Sequence, residues 1–253
     1  MKNYQKSTTF VILFLIITFL NSCSKNESTN NSSSSNSIYL EFEAKVGSNS
    51  FELNRPYFVG PFNNKMVFSR FQYYISNVVL TKEDGTTYTV PKDSSYYLIT
   101  HKDNALPKVE LKNIPIGNYK SIQFMIGIDS ISNLTIEPKL LPSALDPLNG
   151  MYWSWNSGYI FLKTEGTVQD SIAFKHHIGL QKNVKSLSFN SNTSAKVSAS
   201  VRPTIHFEVD VEKMYNGTEK INAVANRTIM VTPFASNVAN NFSGMFVLHH
   251  VHN

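Results

Sequence analysis

The residues best equipped for chemistry in this chain of 253 are seven histidines and two tryptophans. The tryptophans, Trp153 and Trp155, lie two positions apart within Gly150-Met-Tyr-Trp-Ser-Trp-Asn-Ser-Gly-Tyr-Ile-Phe-Leu-Lys-Thr-Glu. Positions i and i+2 of an extended segment face the same side, so the two indoles are expected side by side. A turn at Asn156-Ser157-Gly158 and a strand from Tyr159 to Thr164 should follow. Two indoles bury a large apolar area, which makes a core anchor the plain reading. The sharper reading holds one indole where chemistry can reach it.

His101 precedes the tryptophans; His176, His177, His206, His249, His250 and His252 follow them. Imidazoles drawn from several strands suit a soft or borderline metal such as copper or zinc. His176 and His177 are adjacent, so only one of them can face inward from a strand. His250 and His252 can share a face, and His206 sits in the alternation Ile205-His206-Phe207. No zinc-finger or His-Glu-x-x-His spacing is present, and histidines placed this way also serve as ordinary core or surface residues. Asp129 and Asp146 read as turn caps rather than acids. Without a Gly-x-Ser-x-Gly, a phosphate loop or a Cys-x-x-Cys, the expectation is a binding protein and not an enzyme.

The elements that must position these residues are strands. Ile38–Val46 alternates apolar and polar. Phe71–Thr81 reads as a long strand turned at Glu83-Asp84-Gly85 onto Thr86–Val90, a hairpin. Ser95–Thr100, Lys108–Leu111, Tyr119–Ile128, Ser171–Gly179, Lys185–Phe189 and Ile205–Val211 follow, and Thr228–Pro233 and Phe242–His252 close the chain. Residues 129–150 look irregular, with one helical turn at Leu140–Leu145. Asn190–Ser198 looks like a polar loop, and Glu212–Tyr215 like the start of a short helix. Many short strands separated by turn signals predict an all-β fold, an antiparallel β-sandwich with irregular loops and at most short helices.

Hydrophobic residues make up 42% of the chain, enough for a substantial core, and the formal net charge is +5. That falls to +3 once Lys2 and Lys6 of the leader are set aside. A surplus so small and scattered argues against nucleic acid as a partner. The single cysteine, Cys23, excludes an internal disulfide and follows a basic start and the apolar run Phe10–Leu20. That run has the length of a signal-peptide core rather than a membrane span. Leu20-Asn21-Ser22-Cys23 resembles the bacterial lipobox. The expectation is therefore a lipoprotein signal over 1–22, then lipidation at Cys23 and a flexible polar tether over 23–37, then a sandwich over 38–253. The lipid would anchor the domain to a membrane of the cell envelope, expected to be the outer membrane.

Several stretches together resemble the MbnP family: Gly127-Ile-Asp-Ser; Leu145-Asp-Pro-Leu-Asn-Gly-Met-Tyr-Trp-Ser-Trp-Asn-Ser-Gly-Tyr-Ile-Phe-Leu-Lys; Phe174-Lys-His-His-Ile-Gly; Tyr73-Tyr-Ile-Ser-Asn; and Met245-Phe with His250-Val-His-Asn. The likeness is nearest to the lipoprotein branch found in Bacteroidetes-type bacteria. It implies an exported, β-rich copper-binding protein. It also implies a di-haem, MauG-like peroxidase partner that oxidises a tryptophan to kynurenine, which then helps histidines hold copper, Cu(I) being favoured. On this chain the tryptophan motif falls on Trp153 and Trp155, the family's His-Leu-Gly on His177 with Ile178-Gly179, and the end of the branch on His252. The methanotroph-like branch carries an Asn-His pair upstream of the tryptophans; here Asn133-Leu134 stands in its place, and that branch's cysteines are absent. His206 and His250 are then alternative ligands. A competing expectation is an envelope recognition module without metal, using Tyr57, Tyr73, Tyr74, Tyr96, Tyr97 and Tyr152 as a platform for glycan or peptide.

Overall fold

Alternation along β1 (Ser37–Val46) sets the architecture: Ile38, Leu40, Phe42, Ala44 and Val46 are buried, and the residues between them face outward. The computed structural model describes Met1 and residues 36–103, 105–130, 132, 143–156 and 158–253. The leader, Cys23 and Asn133-Leu134 lie outside the described residues, and the described strands and helices belong to the unit Ser34–Asn253. After β1 come β2 (Asn49–Ser50), β3 (Pro56–Val59), β4 (Asn64–Lys82), β5 (Thr87–Thr89), β6 (Tyr96–Thr100), β7 (Lys108–Lys112) and β8 (Gly117–Ile126). Then come β9 (Tyr152–Trp153), β10 (Gly158–Val168), β11 (Ile172–Gly179), β12 (Lys185–Val197), β13 (Thr204–Asp210), β14 (Thr228–Ile229) and β15 (Phe246–His252). Short helices α1 (Glu212–Tyr215), α2 (Pro233–Asn240) and α3 (Phe242–Met245) fall between the last strands.

The described strands form two sheets. The smaller has the order β15-β13-β1-β2, with β7 also on β1; the larger has the order β12-β8-β4-β10-β11-β14, with β3, β5 and β6 on β4 and β9 on β10. Between them lies the main core. Phe42 of β1 stacks on Phe207 of β13 at 5.3 Å, and Phe124 of the larger sheet meets Phe207 edge-on at 5.4 Å. This is the predicted β-sandwich, with parallel pairings of β1 with β13 and of β11 with β14.

Three local expectations are corrected. Asn190–Val197 continues β12 rather than forming a loop: it pairs with β8 across a register shift between Asn190 and Ala195, and Ala195 and Val197 are buried. Asn190, Asn192, Thr193 and Lys196 are exposed, while Ser191 is buried with its hydroxyl donating to the Thr193 carbonyl at 2.6 Å. Phe242–Met245 is helical rather than extended, and Pro233–Asn240 is a helix whose first position takes proline, where no amide is needed. The tryptophan segment leaves the strand after Trp153, so the two indoles do not share an extended face.

A second, smaller apolar cluster covers the outer face of the larger sheet: Tyr74, Tyr96, Ile128, Leu145, Met151, Trp153, Tyr159, Ile160 and Phe161. Segment 143–153 is clamped onto this face. Tyr74 Oη donates to the Ala144 carbonyl at 2.8 Å, Tyr159 Oη to that of Leu145 at 2.6 Å, and Lys163 Nζ to that of Gly150 at 2.9 Å. Asp146 accepts from the Leu148 amide at 2.8 Å, the turn cap expected of it, and Gly150 takes the left-handed conformation (φ 71°) that closes the turn.

Candidate metal centre

Trp153 is 4% exposed and Trp155 is 61% exposed, with ring centroids 5.6 Å apart and planes at 47°. Trp153 is thus the core anchor, and Trp155 lies over it at the surface. The Trp153 ring rests on Gly179: a Cβ there would sit 2.6 Å from Cζ3 of the indole and 2.6 Å from the Tyr159 carbonyl oxygen. His177, two residues earlier on β11, faces the same side. Trp153 Nε1 is buried and has no hydrogen-bond partner among the described residues, a state that costs about 1–3 kcal/mol.

The surroundings of His177 carry no motif that marks them out in the sequence. Its Nε2 lies 2.9 Å from Oε1 of Glu165, Glu165 Oε2 lies 3.1 Å from Nε of Arg70, and Lys163 Nζ lies 3.7 Å from Glu165 Oε1. Burial lowers the proton affinity of His177, and the Glu165 contact opposes that. Burial pushes the Glu165 carboxyl up, but His177, Lys163 and Arg70 together outweigh it and hold it below its ordinary range. Burial also pulls Lys163 down. The one signal in the sequence is the pair Lys163 and Glu165 following the wholly apolar Tyr159–Leu162. His176 faces the other way, into the core, where Nδ1 meets Tyr215 Oη at 3.0 Å and Nε2 meets the Asn226 carbonyl at 2.8 Å. His101 is buried against Phe71 and Tyr73. Burial lowers the pKa of His176 to about 4 and of His101 to about 3, so both are neutral core residues.

The other histidines lie elsewhere. Ile205, Phe207 and Val209 of β13 point into the main core, which turns His206 to the outer face of the smaller sheet. His206 pairs with His250 across β13 and β15, but Phe207 pairs with Leu248, leaving His249 as the extra residue of a bulge. The His206 ring lies 4.7 Å from that of His250 and 5.8 Å from that of His249, and the His250 ring lies 4.3 Å from that of His252. The sequence candidates thus divide between the two outer faces of the sandwich. Trp153, Trp155 and His177 are on one; His206, His250 and His252 are on the other, joined by His249, one of the seven histidines but not singled out as a ligand. The tyrosine platform is not assembled, because Tyr57, Tyr73, Tyr74 and Tyr96 are buried.

The sequence profile of the MbnP family matches residues 35–231. The chain belongs to the MbnP family. No protein with a curated description matches it significantly. The solved structure of MbnP from Methylosinus trichosporium is similar, with a TM-score of 0.50 over 73% of this chain and 78% of its own and a sequence identity of 14%, a likeness of fold. The matched region holds Trp153, Trp155, His177 and His206, while His249, His250 and His252 lie beyond it.

Proposed function

We propose that this MbnP-family chain is an exported copper-binding protein, lipid-anchored in the cell envelope through Cys23, that takes up or hands on copper and is not itself a catalyst. The observation that carries the reading is the buried, unpartnered Trp153 Nε1 on the sheet face that also presents His177. The residues around it suit Cu(I). Met151 belongs to the same apolar cluster and Met230 packs against it, and thioether and imidazole donors favour that ion. An intact indole nitrogen only donates a hydrogen bond. A di-haem, MauG-like peroxidase partner would use two equivalents of peroxide to cleave the C2–C3 bond, adding an oxygen to each carbon and releasing two waters. Hydrolysis would then release C2 as formate and leave an aromatic amine with a lone pair. His177, that amine and a methionine sulfur are the donors this chain offers, and bound copper would supply a soft cationic centre. Glu165 orients the His177 ring through Nε2 and leaves Nδ1 for the metal. The exposed Trp155 caps the indole and gives an oxidising partner a surface approach to Trp153.

Protein purified from its own host tests this by intact mass, near-ultraviolet absorption and anaerobic Cu(I) titration against a competing chelator. We expect the mass and absorption of kynurenine, and tight Cu(I) binding that His177→Ala or Trp153→Phe abolishes and His206→Ala/His250→Ala spares. Cu(I) binding as tight in His177→Ala as in the parent would end the assignment.

A further inference from the structure

The histidine group on the smaller sheet is too well assembled to leave as surface decoration. One nitrogen from each of His206, His249 and His250 falls in a set whose members lie within 4.8 Å of one another. His250 reaches both ways, with Nδ1 2.9 Å from His249 Nδ1 and Nε2 2.6 Å from His252 Nε2. Two nitrogens bound at about 2.0–2.1 Å to a tetrahedral ion stand roughly 3.3 Å apart. The His249–His250 spacing is shorter than that and no pair of the three exceeds 4.8 Å, so seating an ion calls for the rings to turn slightly apart about their side-chain bonds. His206 Nε2 is buried and makes no hydrogen bond, although Glu43 Oε2 lies 3.2 Å away. Glu208 Oε1 lies 3.9 Å from His249 Nε2. The strand that carries three of the rings is tied down at its end: Asn253 Oδ1 accepts from the Lys196 amide at 2.7 Å, and Asn253 Nδ2 donates to the Ser194 carbonyl at 3.1 Å.

We propose that His206, His249 and His250, with His252 and Glu43 at the rim, form a binding site for a divalent borderline metal ion, zinc(II) or copper(II), separate from the tryptophan site. Imidazole with carboxylate is the donor set such ions take; the thioethers that mark the tryptophan side are not part of this group. The inference does not rest on the copper reading of Trp153, since the two groups occupy opposite outer faces. It also rests on residues of β15 beyond the region matched by the family.

The test uses the full chain stripped with chelator and titrated with zinc(II) and, separately, copper(II), followed by imidazole NMR shifts and by nitrogen hyperfine splitting in the copper(II) spectrum. The expected result is one equivalent bound, with splitting from at least three nitrogens. Affinity should fall by about 100-fold or more in His206→Ala/His250→Ala and by about 10-fold in Glu43→Gln, and should be unchanged in His177→Ala. The more exposed His249→Ala and His252→Ala are read alongside, so the proposal stays testable if the double variant fails to fold. Binding that survives all of these variants, binding lost equally in His177→Ala, or no binding of either ion would overturn it. The relative response to the two ions decides which one the site takes.

Discussion

Gly179→Ala is the sharpest test of how the tryptophan site is built. Gly179 does not have a positive φ, so alanine meets no backbone penalty there and its effect is purely steric. The added Cβ would lie 2.6 Å from Cζ3 of Trp153 and 2.6 Å from the Tyr159 carbonyl oxygen, roughly 1 Å inside the 3.5–4.0 Å optimum for carbon contacts. The carbonyl belongs to the neighbouring strand and cannot yield without disturbing β10. The indole can yield only by lifting off the sheet. Overpacking of this kind costs about 2 kcal/mol, which for a domain of this size lowers Tm by about 4–8 °C. Thermal unfolding followed by circular dichroism measures the loss, and Trp153 emission should shift to the red as its ring moves toward water. In a Trp153→Ala background the same change should cost less, because only the carbonyl contact remains. An unchanged Tm and an unchanged emission spectrum in Gly179→Ala would refute the claim that the missing Cβ seats the indole.

Two further outcomes come from the same geometry. Trp153→Phe should change stability by no more than about 1 kcal/mol in protein with an unmodified ring, because losing part of the ring is offset by removing an unsatisfied buried donor worth about 1–3 kcal/mol; Trp153→Ala should cost about 3–5 kcal/mol, and urea unfolding separates the two. His101 and His176 have folded pKa values of about 3 and about 4, lowered by burial, beneath an unfolded value near 6.5. The unfolded chain therefore binds more protons, and stability falls as pH drops from about 6.5 toward 4, by about 1.4 kcal/mol per unit for each histidine; His101→Phe, which keeps the ring stacked on Phe71, should roughly halve that slope.

The sandwich was legible because burial in a two-layer fold writes itself as alternation, and β1 and β13 carry it without a break. The covered outer face of the larger sheet was not, since Tyr73 and Tyr74 are consecutive and both fully buried. A residue pair of that kind reads as noise until a loop is seen lying over one side. The same cover explains why Trp153 and Trp155 part company. Period two holds only while the chain stays extended, and here it turns as soon as Trp153 has reached Gly179. Which histidines work together was equally hidden: His177 and His206 are similar in pattern, but one projects from the covered face of one sheet and the other from the outer face of the second. Alternation tells which residues share a side of a strand and is silent on which strands share a sheet.

The bulge in β15 is where local pattern and metal chemistry meet. Phe246 and Leu248 are two apart and both pack on the main core, but the next residue that packs there, Val251, is three further on. Strict alternation cannot satisfy that spacing. It would turn Val251 to solvent and His250 into the core, where an imidazole without a partner is costly. Inserting one extra residue restores parity, so the apolar side chains stay inside and His249, His250 and His252 come to the outer face beside His206. The cluster is therefore a consequence of hydrophobic spacing as much as of histidine content. Moving Val251 back by one position while keeping the number of histidines would remove the need for the bulge, and only two of the three histidines of β15 would then share the outer face with His206.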